Sequence, residues 1–199
     1  MAMRPGTKMT LRGEQTRDQI IQAARKLFTD RGYHSTSLYD LFDHAETTKG
    51  AFFHHWKTKE DLAMSIYERL EGFFQSNFFC ILEEPGRARE KIERVINLVS
   101  QVSNGDGSYG RLFAMWCIEL TEDEEQIGPA VHRLKVRWFS FWKELITRAQ
   151  EAKDMRSDIS AENLSFLVVS AIFGVLLMKR KGDAESQNTY EALRCAILT

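Results

Sequence analysis

The stretch AETTKGAFFHHWKTKEDL, residues 45–62, decides the fold. It holds a turn, a short helix with a polar face, a second turn and the start of another helix. Thr48 stands directly before Lys49, where its side-chain oxygen can accept from one of the orphan N–H groups of a helical first turn. Thr58-Lys59-Glu60-Asp61 reads as a capping-box start for a longer helix. Between these caps, Phe52 and Trp56 are four apart and anchor one face inward. Lys49, Gly50, Ala51 and His54 fall on the outward side, a mix of small and hydrogen-bonding residues that lets a helix sink into a major groove. Thr47, Thr48, Lys49, Lys57 and Lys59 are placed to meet phosphates, helped by the partial positive charge of the helix N-terminus. This is the layout of a helix-turn-helix reader.

Upstream, TRDQIIQAARKLFTDRGY from Thr16 sets Ile20, Ile21, Ala24, Leu27 and Phe28 at helical spacing, with Gly32 to stop the helix. Ser35 or Thr36 is expected to cap a second, short helix whose inner face is Leu38, Leu41 and Phe42.

Residues 16–62 resemble the DNA-binding domain of the TetR family of bacterial transcriptional repressors. The resemblance rests on Phe28, Arg31-Gly32-Tyr33, Thr36-Ser37, the block from Thr48 to Trp56, and Lys57-Thr58-Lys59-Glu60-Asp61-Leu62. It implies an all-α fold of about nine helices. An N-terminal arm over residues 1–15 precedes a three-helix domain over 16–62, and a long fourth helix leads into a ligand-binding and dimerisation bundle over 63–199. It also implies double-stranded DNA as partner, contacted by Thr36, Ser37, Tyr39, Thr47, Thr48, Lys49, Gly50, Ala51, Phe53, His54, His55, Lys57 and Lys59. Two positions depart from the family pattern. Glu46 stands where the turn often has Gly, so either the turn avoids a left-handed conformation or Glu46 bears strain. Phe53 stands where a phosphate-contacting Tyr is usual, which leaves more of the hydrogen bonding to His54 or His55.

Charge fits this division with a small asymmetry. Residues 1–62 carry ten Lys/Arg against eight Asp/Glu, and residues 63–199 carry seventeen against twenty. Arg4, Lys8, Arg12 and Arg17 form either a DNA-following arm or a solvated tail. The segment MAMRPGTKM has no apolar core and is not a signal peptide. Leu164 to Met178 is apolar but shorter than the roughly 18–20 residues that span a bilayer, so a cytoplasmic protein with a buried helix is expected. Cys80, Cys117 and Cys195 make no CxxC pattern; Cys117 reads as a core residue or a redox-sensing thiol. Adjacent His54 and His55 point about 100° apart and do not make a metal site. No cofactor and no catalytic constellation is indicated.

Beyond the reader, Leu62, Ile66, Leu70, Phe73 or Phe74, Phe78 and Ile81 make one apolar stripe ended by Pro85-Gly86. A fifth helix runs through Ile92 and Val102 to Asn104-Gly105-Asp106-Gly107, and a sixth covers Tyr109 to Leu120. Glu122 to Glu125 suits a solvated helix start, and a seventh helix carries Val131, Leu134, Trp138, Phe141 and Leu145. Ser160 is placed to cap an eighth. That helix is apolar on every side, so something must cover it. The covering elements expected are a ninth helix and the same pair from a second subunit, through Leu164, Leu167, Val168, Ala171, Ile172, Val175, Tyr190, Leu193 and Ile197. Lys179-Arg180-Lys181 reads as a cation cluster at the helix C-terminus rather than a DNA contact.

The resemblance places a cavity for a small hydrophobic or aromatic effector among the fourth to eighth helices. Phe74, Phe78, Phe113, Trp116, Trp138, Phe141, Trp142 and Phe173 are its candidate walls, or simply core, and Tyr109, Arg111, Glu119 and His132 the polar candidates. The function expected is a homodimeric, ligand-released repressor of a pseudo-palindromic operator. Two alternatives stand beside it: a regulator governed by cysteine oxidation or a protein partner, and a helical small-molecule-binding protein or enzyme with an unused reader.

Overall fold

A computed structural model describes residues 11–103, 109–178 and 185–198. Among them are nine α-helices and no strand: α1 (Leu11–Arg31), α2 (Leu38–His44), α3 (Lys49–His55), α4 (Lys59–Asn77), α5 (Ala88–Ser103), α6 (Tyr109–Glu119), α7 (Ile127–Glu151), α8 (Ala161–Met178) and α9 (Glu185–Leu198). A 3₁₀ turn, Phe79–Leu82, follows α4. Arg4, Lys8, the Asn104-Gly105-Asp106-Gly107 stop and the Lys179-Arg180-Lys181 cluster lie outside the described residues.

Several helix ends follow directly from the sequence. Thr48 accepts from the Ala51 N–H at 3.1 Å and caps α3. Thr58 and Asp61 form a reciprocal capping box on α4. The Asp61 carboxylate accepts from both the Thr58 and Lys57 N–H groups, at 2.9 and 3.0 Å. Ser160 caps α8 by accepting from Asn163 N–H at 3.2 Å. Gly32 ends α1 with φ +92°, a left-handed geometry that glycine adopts without steric cost.

Four expectations need correction. First, α1 starts at Leu11, so residues 11–15 belong to a helix rather than an arm. Second, Ser37 caps α2, in a capping box with Asp40, and not Ser35 or Thr36. Thr36 is fully buried and donates its hydroxyl to the Gly32 carbonyl at 2.7 Å. Third, the apolar stripe through Ile81 is not one helix. Phe78 and Phe79 are both buried, with α4 ending at Asn77 and a 3₁₀ turn beginning at Phe79. Both rings pack on Trp138, at 5.1 and 6.2 Å between ring centres. Fourth, α8 has 18 residues and a mean hydropathy of 1.9, enough by length and composition alone to cross a membrane. Its Leu164, Val168, Ile172 and Leu176 nevertheless bury against the chain's own core.

That packing also corrects the dimer surface. Leu164, Val168, Ile172, Tyr190 and Ile197 are buried within the single chain, Ala171, Val175 and Leu193 are half-buried, and only Leu167 of that set on α8 is exposed. The inner face of α8 meets α7 chiefly, then α6 and α9. The outward apolar residues of α8 are Phe166, Leu167 and Met178.

The core is one hydrophobic cluster that runs through both units. Ile20, Phe28, Leu41 and Phe52 fill the three-helix unit, and Phe74, Phe113, Trp138 and Trp142 fill the bundle. Each such side chain contributes about 1.5–3 kcal/mol by leaving water. Phe28 packs on Trp116 of α6, ring centres 6.3 Å apart, and joins the two.

Candidate nucleic-acid interface and interior cavity

The pose of α3 is set from its inner side. Phe52 is fully buried, edge-on to Phe42 at 5.5 Å and 5.6 Å from Trp56. The Trp56 indole N–H donates to Ser65 Oγ of α4 at 2.9 Å, so the end of α3 is hydrogen-bonded to the next helix. Lys49, Gly50, Phe53 and His54 are left exposed, with Ala51 and His55 half-buried beside them. Thr48 is exposed and Thr47 half-buried at the helix start, and Lys57 is exposed just past its end.

The turn before α3 is a Schellman arrangement: Glu46 N–H donates to Asp43 O at 3.2 Å, and Thr47 N–H to Phe42 O at 2.9 Å. Glu46 occupies the position that favours glycine, with φ +48°, so the turn is left-handed and Glu46 carries the strain. Its carboxylate is exposed close to the start of α3.

Positive charge on this face comes from Lys49, Lys57 and Arg17. The Lys49 ammonium lies 5.8 Å from the Phe53 ring centre, so the ring that lacks a hydroxyl still steadies a cation over the reader. Arg17 of α1 lies 5.7 Å from the Trp56 ring and brings α1 into the same surface. Burial, with repulsion from His54 and Arg17, pulls His55 below the ordinary histidine range. It is therefore a neutral hydrogen-bonding ring at pH 7. On α2, Tyr39 is 79% exposed, while the Ser37 hydroxyl serves as cap, accepting from Asp40 N–H at 3.1 Å.

Two of the expected DNA contacts are turned into the protein. Thr36 is buried as described, and Lys59 donates to the carbonyl oxygens of Tyr33 and Thr36 at 3.0 Å each. Burial lowers the Lys59 pKa from its usual value, with the Glu119 carboxylate pulling the other way.

In the bundle, a small apolar pocket with room for little more than one water, about 20 Å³, lies between α4, α5, α6, α7 and α8. Of the expected wall residues, Phe74, Phe78, Phe113, Trp138 and Phe173 line it. Phe74 meets Phe113 at 4.9 Å and Trp138 at 5.2 Å, ring centre to ring centre. Trp116, Phe141 and Trp142 are core elsewhere. None of the polar candidates lines the void. Tyr109 stacks between Phe73 and the Arg25 guanidinium. Arg111 donates to the Leu176 carbonyl at 3.0 Å, and Glu119 accepts from Tyr33 N–H at 2.8 Å. His132 borders a separate surface hollow beside Thr121 and Lys135. The void's polar side chain is Ser103, whose hydroxyl pairs with the buried Tyr190 hydroxyl at 2.9 Å. Its position at the end of α5, one helical face on from Val99, was the available signal.

Residues 20–66 match the sequence profile described as bacterial regulatory proteins, tetR family. Over 170 residues the chain is 22% identical to the HTH-type transcriptional repressor DhaR of Mycobacterium sp. (strain GP1), covering 85% of each chain. The HTH-type transcriptional regulator AcrR of Shigella flexneri is 39% identical over 59 residues, 30% of this chain and 27% of that one. The crystal structure of AibR in complex with isovaleryl coenzyme A and operator DNA superposes with a TM-score of 0.79 at 16% identity, covering 92% of this chain and 98% of that one. Residues 20–66 are thus a DNA-binding domain of the tetR family of bacterial regulatory proteins, and the chain as a whole shares the all-helical fold of a structure solved with operator DNA.

Proposed function

We propose that this protein is a homodimeric transcriptional repressor that reads a pseudo-palindromic operator through α3 and leaves it when a small apolar or aromatic effector fills the bundle cavity. The observation that carries the reading is the two-sided build of α3. Phe52 and Trp56 fix it from within, and Lys49, Gly50, Phe53 and His54 face outward with Lys57 and Arg17 beside them. Phosphates meet the cations and the capped helix start, and His54 and the small residues approach base edges.

Dimerisation supplies the second reader, at about 34–36 Å in the next major groove. The exposed Phe166, Leu167 and Met178 of α8 support that helix as the seam. The AibR complex, holding both isovaleryl coenzyme A and operator DNA, supports a ligand-and-DNA mechanism in this fold. Here the pocket is apolar and too small for an effector, about 20 Å³, so an effector is accommodated by spreading α4, α6 and α8. It lowers DNA affinity only by binding the spread form better than the unspread one. The protein acts in the cytoplasm, where its operator is.

Footprinting of the DNA upstream of its own gene tests this. Protection of a two-fold-related site is expected, with Lys49→Ala and His54→Ala weakening it and rising salt weakening it steeply. Binding no tighter than to random DNA would overturn the reading.

A further inference from the structure

The loop between α6 and α7 is gripped from two sides by the reader unit. On one side, the Tyr33 N–H, just past the end of α1, donates to Glu119 Oε2 at 2.8 Å. His34 Nε2 lies 3.1 Å from the Glu119 carbonyl oxygen and 3.2 Å from Glu124 Oε1. On the other side, Glu60 in the first turn of α4 reaches across to the start of α7. Its Oε1 accepts from the N–H groups of Gln126 and Ile127 at 2.8 and 3.0 Å. Glu60 thus caps a helix 66 residues away from it in sequence, and no side chain of α7's own caps that end.

The fit at Gly32 is close. A Cβ there would stand 1.9 Å from Glu119 Oε1, so any other residue would push the carboxylate out of its place. Glycine at 32 therefore does two things: it turns the chain at φ +92° and it makes room for a carboxylate from the other domain. Charge-assisted hydrogen bonds of this kind are short and directional, which suits them to fixing an angle. Glu119 also ends α6, whose Phe113 and Gly110 line the pocket six and nine residues earlier, about one and a half to two and a half turns. A rigid shift of α6 is felt at Glu119.

We infer that Glu119 is a positioning residue: with Glu60 it clasps the α6–α7 loop to the α1–α2 turn and to α4, and this clasp sets the angle, hence the spacing, at which the two readers meet DNA. The inference rests on the repressor reading above. Its distinctive consequence is that losing the clasp loosens spacing selectivity and leaves the contact between one reader and one half-site intact.

The test begins by selecting the operator from random DNA with the wild-type dimer. Affinities are then measured for that operator, for versions with one base pair added or removed between half-sites, and for a single half-site. Glu119→Ala is expected to cut the preference for native spacing by about fivefold, the low end of allosteric coupling. Half-site affinity, measured well below the melting temperature of each variant, should stay near wild type. Glu119→Gln, whose amide oxygen still accepts from Tyr33, should restore the preference, and Glu60→Ala should lower it independently. An unchanged spacing preference in both alanine variants overturns the clasp, as does a half-site affinity that falls in step with it. A wild-type protein that selects no sequence sinks the repressor reading and the clasp together.

Discussion

Lys59 and Tyr33 are joined twice: the ammonium donates to the Tyr33 carbonyl at 3.0 Å, and it lies 4.3 Å from the centre of the Tyr33 ring. With its further bond to Thr36 O, this lysine closes the α1–α2 turn against the start of α4. Lys59→Met is expected to lower unfolding free energy in urea by about 1–3 kcal/mol, because two carbonyls lose a charged donor. The slope of log affinity against log salt should not move. Lys49→Ala should do the reverse, reducing that slope by about one with little loss of stability.

Glu46 at φ +48° gives a second expectation. Glu46→Gly relieves a left-handed strain of roughly 1–2 kcal/mol and gives back part of it as chain entropy. A net gain of about 0.5–1 kcal/mol should appear in denaturant melts. DNA affinity at low salt should also rise, since a carboxylate leaves the neighbourhood of the phosphates.

Burial raises Tyr33 to about 12, with Glu60 and Glu124 adding to the shift, and raises Tyr67 to about 12 beside Glu71. Both folded-state values lie above the unfolded one near 10, so the folded protein holds the extra protons. The stability involved is complete below pH 10 and is lost as pH rises from 10 to 12. About 1–2 kcal/mol per tyrosine should disappear over that window in thermal melts, allowing for partial solvent screening. Tyr33→Phe and Tyr67→Phe should each flatten the decline.

Cys117 is a poor sensor by its surroundings, since burial pushes its thiol up to about 12. Iodoacetamide at pH 8 should leave it unmodified in the native protein and alkylate it in denaturing urea, as mass spectrometry of the digests will show. Cys117→Ser should leave any peroxide sensitivity of DNA binding unchanged.

The two faces of α8 give a paired expectation. Leu167→Glu, at an exposed position, should shift the protein from dimer to monomer in light scattering while it stays folded. Leu164→Glu, at a position 2% exposed within the chain's own core, should unfold it instead.

What the sequence disclosed was mostly local. The caps at Thr48, Thr58 and Ser160, and the inward pair Phe52 and Trp56, depend on neighbours within a few residues, and each is where the spacing put it. Lys59 looked like a phosphate contact because a lysine at a helix start is usually exposed. Its actual acceptors lie 23 and 26 residues earlier and arrive only by packing. Glu119 looked like a cavity residue, yet its partner Tyr33 is 86 residues away on another domain. In α8 the periodicity itself was silent: a helix apolar on all sides does not say which side faces in. Glu46 was left between two conformations until its φ was known.

The joint between α3 and α4 carries a last consequence. Asp61 takes the N–H groups of Lys57 and Thr58, Trp56 is bonded to Ser65 and Thr48 caps the start, so α3 is held at its two ends and along its buried side. The outward positions 49, 50 and 54 hold up none of that scaffolding, whereas the Phe53 ring meets Phe52 edge-on at 5.2 Å. Those three positions form an exchangeable cartridge: transplanting their side chains is expected to change operator preference while the frame that moves them is left alone.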